Sequence, residues 1–245
     1  MQVGLEEYGI GRLRSFVGGL SAVVDIVFPR TCVLCRATIE TGDGEPPAGR
    51  HFCTDCRKSV ELAMATPACP RCGHSVGPYG VHEGKCFACR NRRPKLDSIV
   101  RIGPYHDAMA TLVRAFKYRD REELDAYLGR LLTEAIQLAP WCDSIDALVC
   151  VPTHWRNAIG RPFYPPKALV RVVSRLSGIP SIQLLRRVAA GPHQFDVPLR
   201  DRAANIRGKF AVVGGVEMDG ATVCLIDDVS TSGSTLNECA KILKP

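Results

Sequence analysis

The sequence predicts an α/β domain with a mostly parallel sheet flanked by helices, preceded by a small cysteine-rich metal-binding module. Three observations lead there. Eight of the twelve cysteines fall in four C-x-x-C pairs before residue 95. Beyond that point, apolar runs of strand length alternate with helical patterns. The last of those runs ends in two aspartates, then hydroxyl residues and a glycine, and then a final helix.

A chain of 245 residues, 46% of them hydrophobic, is long enough for one full domain of about 150 residues and a smaller one. It is too apolar for wholesale disorder. The longest apolar stretch, residues 16–28, is too short to span a bilayer and is interrupted by Gly18, Gly19 and Asp25. No small-residue cleavage site follows a charged start, so it does not read as a signal peptide. Residues 1–28 are expected to form an amphipathic helical segment, 29–95 the cysteine module and 96–245 the α/β domain. No membrane span is predicted, and the expected compartment is the cytoplasm.

The pairs Cys32/Cys35, Cys53/Cys56, Cys69/Cys72 and Cys86/Cys89 each place two thiolates on one tight turn, within reach of one tetrahedral ion. Reducing compartments disfavour disulfides, and a redox site uses one such pair rather than four. Two structural Zn²⁺ ions account for all eight thiols with no position left open for water. Seventeen residues separate Cys35 from Cys53 and thirteen separate Cys72 from Cys86. Sequential pairing is the simplest arrangement, and cross-braced pairing also satisfies the spacing. His51, His74 and His82 are expected to stand by. Cys142, Cys150, Cys224 and Cys239 are expected in the core. The glycine- and proline-rich residues 42–49 are expected to form a loop, and residues 91–95 a linker.

Residues 98–102, a β-branched run, predict the first strand of the α/β part. Residues 107–118 and 122–138 carry apolar side chains at helical spacing. The continuous run 147–151, ending at Pro152, reads as a buried parallel strand. A helix over 167–176, strands at 179–185, 210–213 and 222–226, and a helix over 233–243 complete the order.

The turn before that last helix reads Asp227, Asp228, Val229, Ser230, Thr231, Ser232, Gly233, Ser234, Thr235. A strand delivers it to the carboxyl edge of the sheet, where open α/β folds bind ligands. A helix start offers free N–H groups and a positive dipole end to a phosphate. Gly233 allows close approach of the backbone, and the two acids suit ribose hydroxyls. The formal charge is +7, and residues 154–209 alone hold eleven Lys/Arg against Asp196 and Asp201. That excess matches either anionic partners or a solvated surface.

This turn resembles the phosphoribosyl pyrophosphate signature of type I phosphoribosyltransferases. Together with the four C-x-x-C pairs, Phe116-Lys117-Tyr118, Val151-Pro152, Arg161, Phe163, Gln194, Arg202, Asn205 and Phe210, it resembles the ComF family over roughly residues 25–245. The resemblance implies a double zinc ribbon joined to a type I phosphoribosyltransferase fold and a part in DNA uptake during natural transformation. It implies that Asp227 and Asp228 meet the ribose and that Ser230 to Thr235 hold the 5′-phosphate. Pro152, Thr153, His154 and Arg156, helped by Arg161, would form the pyrophosphate loop. Mg²⁺ would bridge diphosphate and ribose oxygens. Where the family reads Arg-Gly-Phe-Asn-Gln, this chain has Arg161-Pro162-Phe163-Tyr164-Pro165. The family also normally adds a turn and a strand after the last helix, so an edge strand is expected to be missing here.

If the domain is catalytic, pyrophosphate is displaced from the anomeric carbon of the ribose, with the acceptor left open among a base, ammonia and an amine. The alternative is a competence factor that binds single-stranded DNA without turnover. It would use Arg171, Arg175, Arg186 and Arg187, with Trp155, Phe163, Tyr164 and Phe195 for stacking. A third expectation makes the ribbon a docking module for a DNA-uptake helicase or another competence protein, or a DNA contact through Arg57, Lys58, Arg71, Arg90, Arg92 and Arg93.

Overall fold

Two of the four C-x-x-C pairs, Cys32/Cys35 and Cys69/Cys72, form turns built alike. In the computed structural model, Arg36 N donates to Cys32 O and Cys32 N to Ala37 O. Gly73 N likewise donates to Cys69 O and Cys69 N to His74 O. In these two turns the residue after the second cysteine adopts a left-handed conformation, Arg36 at φ 66° and Gly73 at φ 71°. Glycine takes this conformation freely, and an arginine does so at a cost. Each turn is closed by a single antiparallel bridge, Thr31 to Thr38 and Ala68 to Ser75.

The structure describes residues 29–39, 51–90, 94–118, 123–152, 163–189, 198, 201–215 and 218–244. The expected elements at 16–28 and 42–49, and residues 91–93 of the linker, lie outside them. The chain divides into two compact units, Met1–Ser59 and Val60–Pro245. The first carries one cysteine turn and then Cys53 and Cys56 at the start of α1 (Thr54–Met64). The second opens with the other turn. The hairpin β1 (Val81–His82) and β2 (Lys85–Cys86) follows, and then the short helix α2 (Phe87–Arg90).

In the second unit, residues 94–101 run against the cysteine turn. Ile99 N and Ser98 Oγ donate to Pro70 O, and Arg71 donates to the carbonyls of Pro94 and Asp97. The strand expected at 98–102 is therefore absent. Its β-branched side chains sit on an irregular segment whose backbone partners come from the cysteine turn rather than from a sheet.

Helices α3 (Asp107–Tyr118) and α4 (Leu124–Gln137) form where the periodicity placed them, with Met109, Leu112, Phe116, Leu124, Leu128 and Ile136 buried. Helix α4 packs on α5 (Pro165–Ser177), which has proline at its first position and ends at left-handed Gly178. Gly129 makes that packing close: a Cβ there would lie 2.5 Å from Val172 Cβ.

Strand β3 (Ala147–Cys150) pairs in parallel with β6 (Val223–Ile226), and residues 180–182 add parallel bonds to the other side of β3 at Leu148. Strands β4 (Leu185–Arg187) and β5 (Phe210–Val212) pair antiparallel. The strand expected over 179–185 thus resolves into one parallel bridge at Ser181 and a later strand, β4. Helices α6 (Arg202–Ile206) and α7 (Ser234–Leu243) complete the order. Val149, Leu184, Leu185, Ile206, Phe210 and Cys239 centre the core. Parallel and antiparallel pairing are both present among the described residues. No helix among them is long and apolar enough to cross a membrane.

Candidate functional sites

Two four-thiolate clusters stand out. Cys32, Cys35, Cys53 and Cys56 gather in one, and Cys69, Cys72, Cys86 and Cys89 in the other, with all sulfurs of each cluster within 4.8 Å of one another. This is the sequential pairing, and the cross-braced one is ruled out. A tetrahedral ion with sulfurs at ~2.3 Å requires sulfur–sulfur edges of about 3.8 Å. The observed separations are 3.7 Å for Cys35–Cys53, 3.7 Å for Cys69–Cys89, 3.6 Å for Cys72–Cys86 and 3.8 Å for Cys86–Cys89. The clusters therefore fit two structural zinc ions.

Burial works against the Cys32 thiolate, but backbone N–H groups of Cys35, Cys53 and Leu34 outweigh it and bring its pKa down to about 7. Cys69 behaves alike, with burial opposed by the N–H groups of Arg71, Cys72 and Cys86 and a pKa of about 7. One thiolate of each cluster is thus favoured, while Cys56, Cys72 and Cys89 are pushed up by burial and by their neighbouring sulfurs, and, against the Ala37 N–H, Cys35 is raised by its neighbouring sulfurs. The three histidines stay out of both clusters.

The second site forms where the parallel strands end. Cys150 pairs with Ile226, and Val151 N donates to Ile226 O at 3.0 Å, so Pro152 and Asp227 leave the sheet side by side. Asp228 meets Lys117 of α3 at 2.8 Å, with side-chain exposures of 11% and 14%. Burial first, then the charge of Asp228, raises the Asp227 pKa from 3.8 to about 8, while Lys117 pulls it down. The Tyr164 hydroxyl donates to Val151 O, tying together the two ends of the segment between them. Burial pushes Tyr164 far up, with Cys150, Asp227 and Asp228 adding to it, so the phenol stays a neutral donor. Burial and Asp227 likewise raise Cys150 to about 12. Phe163 packs edge-on against Phe116, ring centres 5.2 Å apart.

Gly233, at φ 70°, precedes α7 and offers no side chain to cap it, while Ser234 N donates to Ser232 Oγ at 3.4 Å. The first four N–H groups of a helix lack intrahelical partners. Asp227 and residues 229–236 line a cavity of 40 Å³ with Arg202 of α6, whose guanidinium donates to Thr231 Oγ1. The acids and the turn also border a larger groove of 1760 Å³.

Of the expected pyrophosphate loop, Pro152 stands at the strand edge, while Thr153, His154, Arg156 and Arg161 lie outside the described residues, as do Trp155, Gln194 and Phe195. Arg171 and Arg175 are exposed one turn apart on α5, Arg171 bonding Asp125 at 2.9 Å, and Arg186 is exposed on β4. Arg187 instead turns inward over Phe210, 5.9 Å from its ring centre. Of the four remaining cysteines, Cys239 is fully buried, whereas Cys142, Cys150 and Cys224 are half-buried. Lys117 and Arg202 entered the sequence reading only as positions of the family resemblance, with no role at the site. Their signal was a charge imbalance: residues 227–235 hold two carboxylates and no cation.

A double zinc ribbon domain model matches residues 23–92. Competence protein F of Haemophilus influenzae is 29% identical over 218 residues, covering 87% of this chain and 90% of that protein. This chain is a homologue of the ComF-type competence proteins. DNA utilization protein YhgH of Salmonella typhi is 28% identical over 228 residues, 89% of the chain and 92% of the relative. Competence protein ComFC of Bacillus subtilis is 25% identical over 198 residues, 78% and 77%. No solved structure matches the chain. Its homologues therefore speak to family and to the ribbon, and the chemistry of the strand edge rests on the geometry above.

Proposed function

We propose that the α/β unit has a type I phosphoribosyltransferase fold, binds phosphoribosyl pyrophosphate or a close analogue at the shared edge of β3 and β6, and serves DNA uptake or utilisation, as the names of its relatives suggest. The supporting observation is the hydrogen bond from Val151 N to Ile226 O at the end of the paired strands. It sets Pro152 and Asp227, the points where the two adjacent parallel strands leave the sheet, next to each other. Such an edge is where open α/β sheets hold phosphorylated ligands.

The parts divide the ligand between them. At neutral pH Asp227 is largely protonated and can donate, while Asp228, paired with Lys117, accepts, so the two suit adjacent ribose hydroxyls. The open end of α7 and the hydroxyls of residues 230–235 suit the 5′-phosphate. The turn after Pro152 takes the diphosphate. Magnesium would arrive with the diphosphate and neutralise it, and the chain's own oxygens nearest to it would be those of Asp227 and Asp228. Single-stranded DNA is the second reading, favoured by exposed Arg171, Arg175 and Arg186.

Calorimetry with phosphoribosyl pyrophosphate and magnesium tests the first reading. Wild type is expected to bind, and the double variant Asp227→Asn, Asp228→Asn to lose binding. Equal affinity in both would end the ribose role of the two acids. Salt-sensitive capture of a labelled single strand, lost on charge reversal at Arg171, Arg175 and Arg186, would favour the second.

A further inference from the structure

The two thiolate clusters are alike in their ligands and unlike in how those ligands are protected. In the second, Cys69, Cys86 and Cys89 are buried, at 0%, 2% and 2% exposure, and Cys72 is half-buried. In the first, Cys32 alone is buried, Cys53 and Cys56 are half-buried, and Cys35 is exposed. The backbone differs in the same sense. At the left-handed position after the second cysteine of the turn, the second cluster has Gly73 and the first has Arg36. A side chain there crowds the following carbonyl, a strain that glycine escapes.

The second turn is also braced from outside. Pro70 O accepts from Ile99 N and Ser98 Oγ, and Arg71 donates to the carbonyls of Pro94 and Asp97. That bracing segment leads into the α/β elements of the same unit. In the first unit, the buried apolar residues besides Cys32 are, among those described, Val33, Ile39 and Phe52. A core that small depends on its metal to stay folded.

We propose that the first cluster is an oxidant-responsive metal centre, with Cys35 the residue that meets a hydroperoxide, and that the second cluster is a permanent clasp. With zinc bound, all four sulfurs of a cluster are thiolates, and oxidation selects the thiolate that solvent reaches. Cys35 Sγ attacks one peroxide oxygen. The O–O bond breaks, hydroxide leaves, and Cys35 becomes a sulfenic acid. Cys53 Sγ, 3.7 Å from Cys35 Sγ, then attacks the Cys35 sulfur. An S–S bond forms, the S–O bond breaks, and a second hydroxide leaves. Two electrons have passed from the two thiolates to the peroxide. The cluster is left with two of its four thiolates, too few for a closed tetrahedral site, and the first unit loses its support.

The test exposes the zinc-loaded full chain to hydrogen peroxide. A chromogenic chelator follows zinc release, and differential alkylation with mass spectrometry maps the thiols. One equivalent of zinc is expected to leave at least about 10-fold faster than the other, the factor that a strain of the left-handed kind amounts to. Cys35 and Cys53 should be the first thiols lost, joined as a disulfide. Amide exchange should then open at Val33 and Ile39, whose N–H groups bond His51 O and Arg30 O, while Ile99 stays protected. Both equivalents leaving together, or thiols of the second cluster lost first, overturns the proposal. So does Cys35 staying reduced after one ion has gone, or joining a sulfur other than that of Cys53. A chain that keeps both ions in millimolar peroxide, or never holds two, refutes it as well.

Discussion

Replacing Lys117 with methionine should cost the α/β unit stability in a strongly pH-dependent way. The ammonium lies 2.8 Å from Asp228, and both side chains are nearly enclosed, at 14% and 11% exposure. At an effective dielectric of about 20 the attraction is roughly 6 kcal/mol before desolvation is subtracted. Removing one partner of an enclosed pair typically costs about 3–5 kcal/mol. We therefore expect a loss of roughly 3 kcal/mol at pH 8.5, or about 6–12 °C in thermal midpoint for a unit of this size.

The sign of the pH effect follows from Asp227. Its pKa is raised from 3.8 to about 8, by burial first and by Asp228 second, against the pull of Lys117. A carboxyl raised in the folded state leaves stability intact below its unfolded pKa, and that stability drains away as pH climbs through the folded value. Without Lys117 the drain deepens above pH 8, whereas at pH 5.5 Asp227 keeps its proton and the deficit should be smaller. Adding Asp228→Asn to Lys117→Met should restore most of the loss at high pH. Thermal melts at pH 5.5 and 8.5, at fixed zinc, read this out. An equal deficit at both values would show that Lys117 serves as packing alone.

Two further outcomes are expected. Metal analysis of the purified chain should give two zinc ions, and Cys72→Ser, which breaks one sulfur set, should leave one. Gly129→Ala forces a methyl to within 2.5 Å of Val172 Cβ and should destabilise by about 1–2 kcal/mol despite better helix propensity. Val172→Ala in the same chain removes the Cγ1 contact but keeps the Cβ, so it should recover only part of this, measured as the urea midpoint.

What the amino-acid order made legible was local. C-x-x-C spacing needs only one turn to bring two thiolates together, so the eight ligands could be read directly, whereas which pairs share an ion could not. The helices 107–118, 124–137 and 165–177 followed from periodicity because their apolar stripes face one core. Residues 98–102 misled because a β-branched run reports only that a segment is extended and half-buried. It does not say whether the neighbour is a strand or, as here, the carbonyl of Pro70. Residues 179–185 misled in the same way: sheet pairing is a long-range choice that moved the strand to Leu185–Arg187. At the strand edge, the turn 227–235 was visible as a motif, but its cations were not. Lys117 and Arg202 reach it from α3 and α6, and only the fold shows which basic side chains among 32 arrive there.

Asp97 has a bearing on how this chain can be cut. Its backbone carbonyl holds Arg71 of the cysteine turn, and its carboxylate holds Lys244 at the end of α7, 2.7 Å away. Lys95 N meets Asn237 Oδ1 beside it. A fragment begun at residue 94, as a clean division between ribbon and α/β elements would suggest, strips that tether of one moorage and loosens the last helix at its far end. A fragment begun at Val60 keeps the metal clasp, the tether and the helix in one piece.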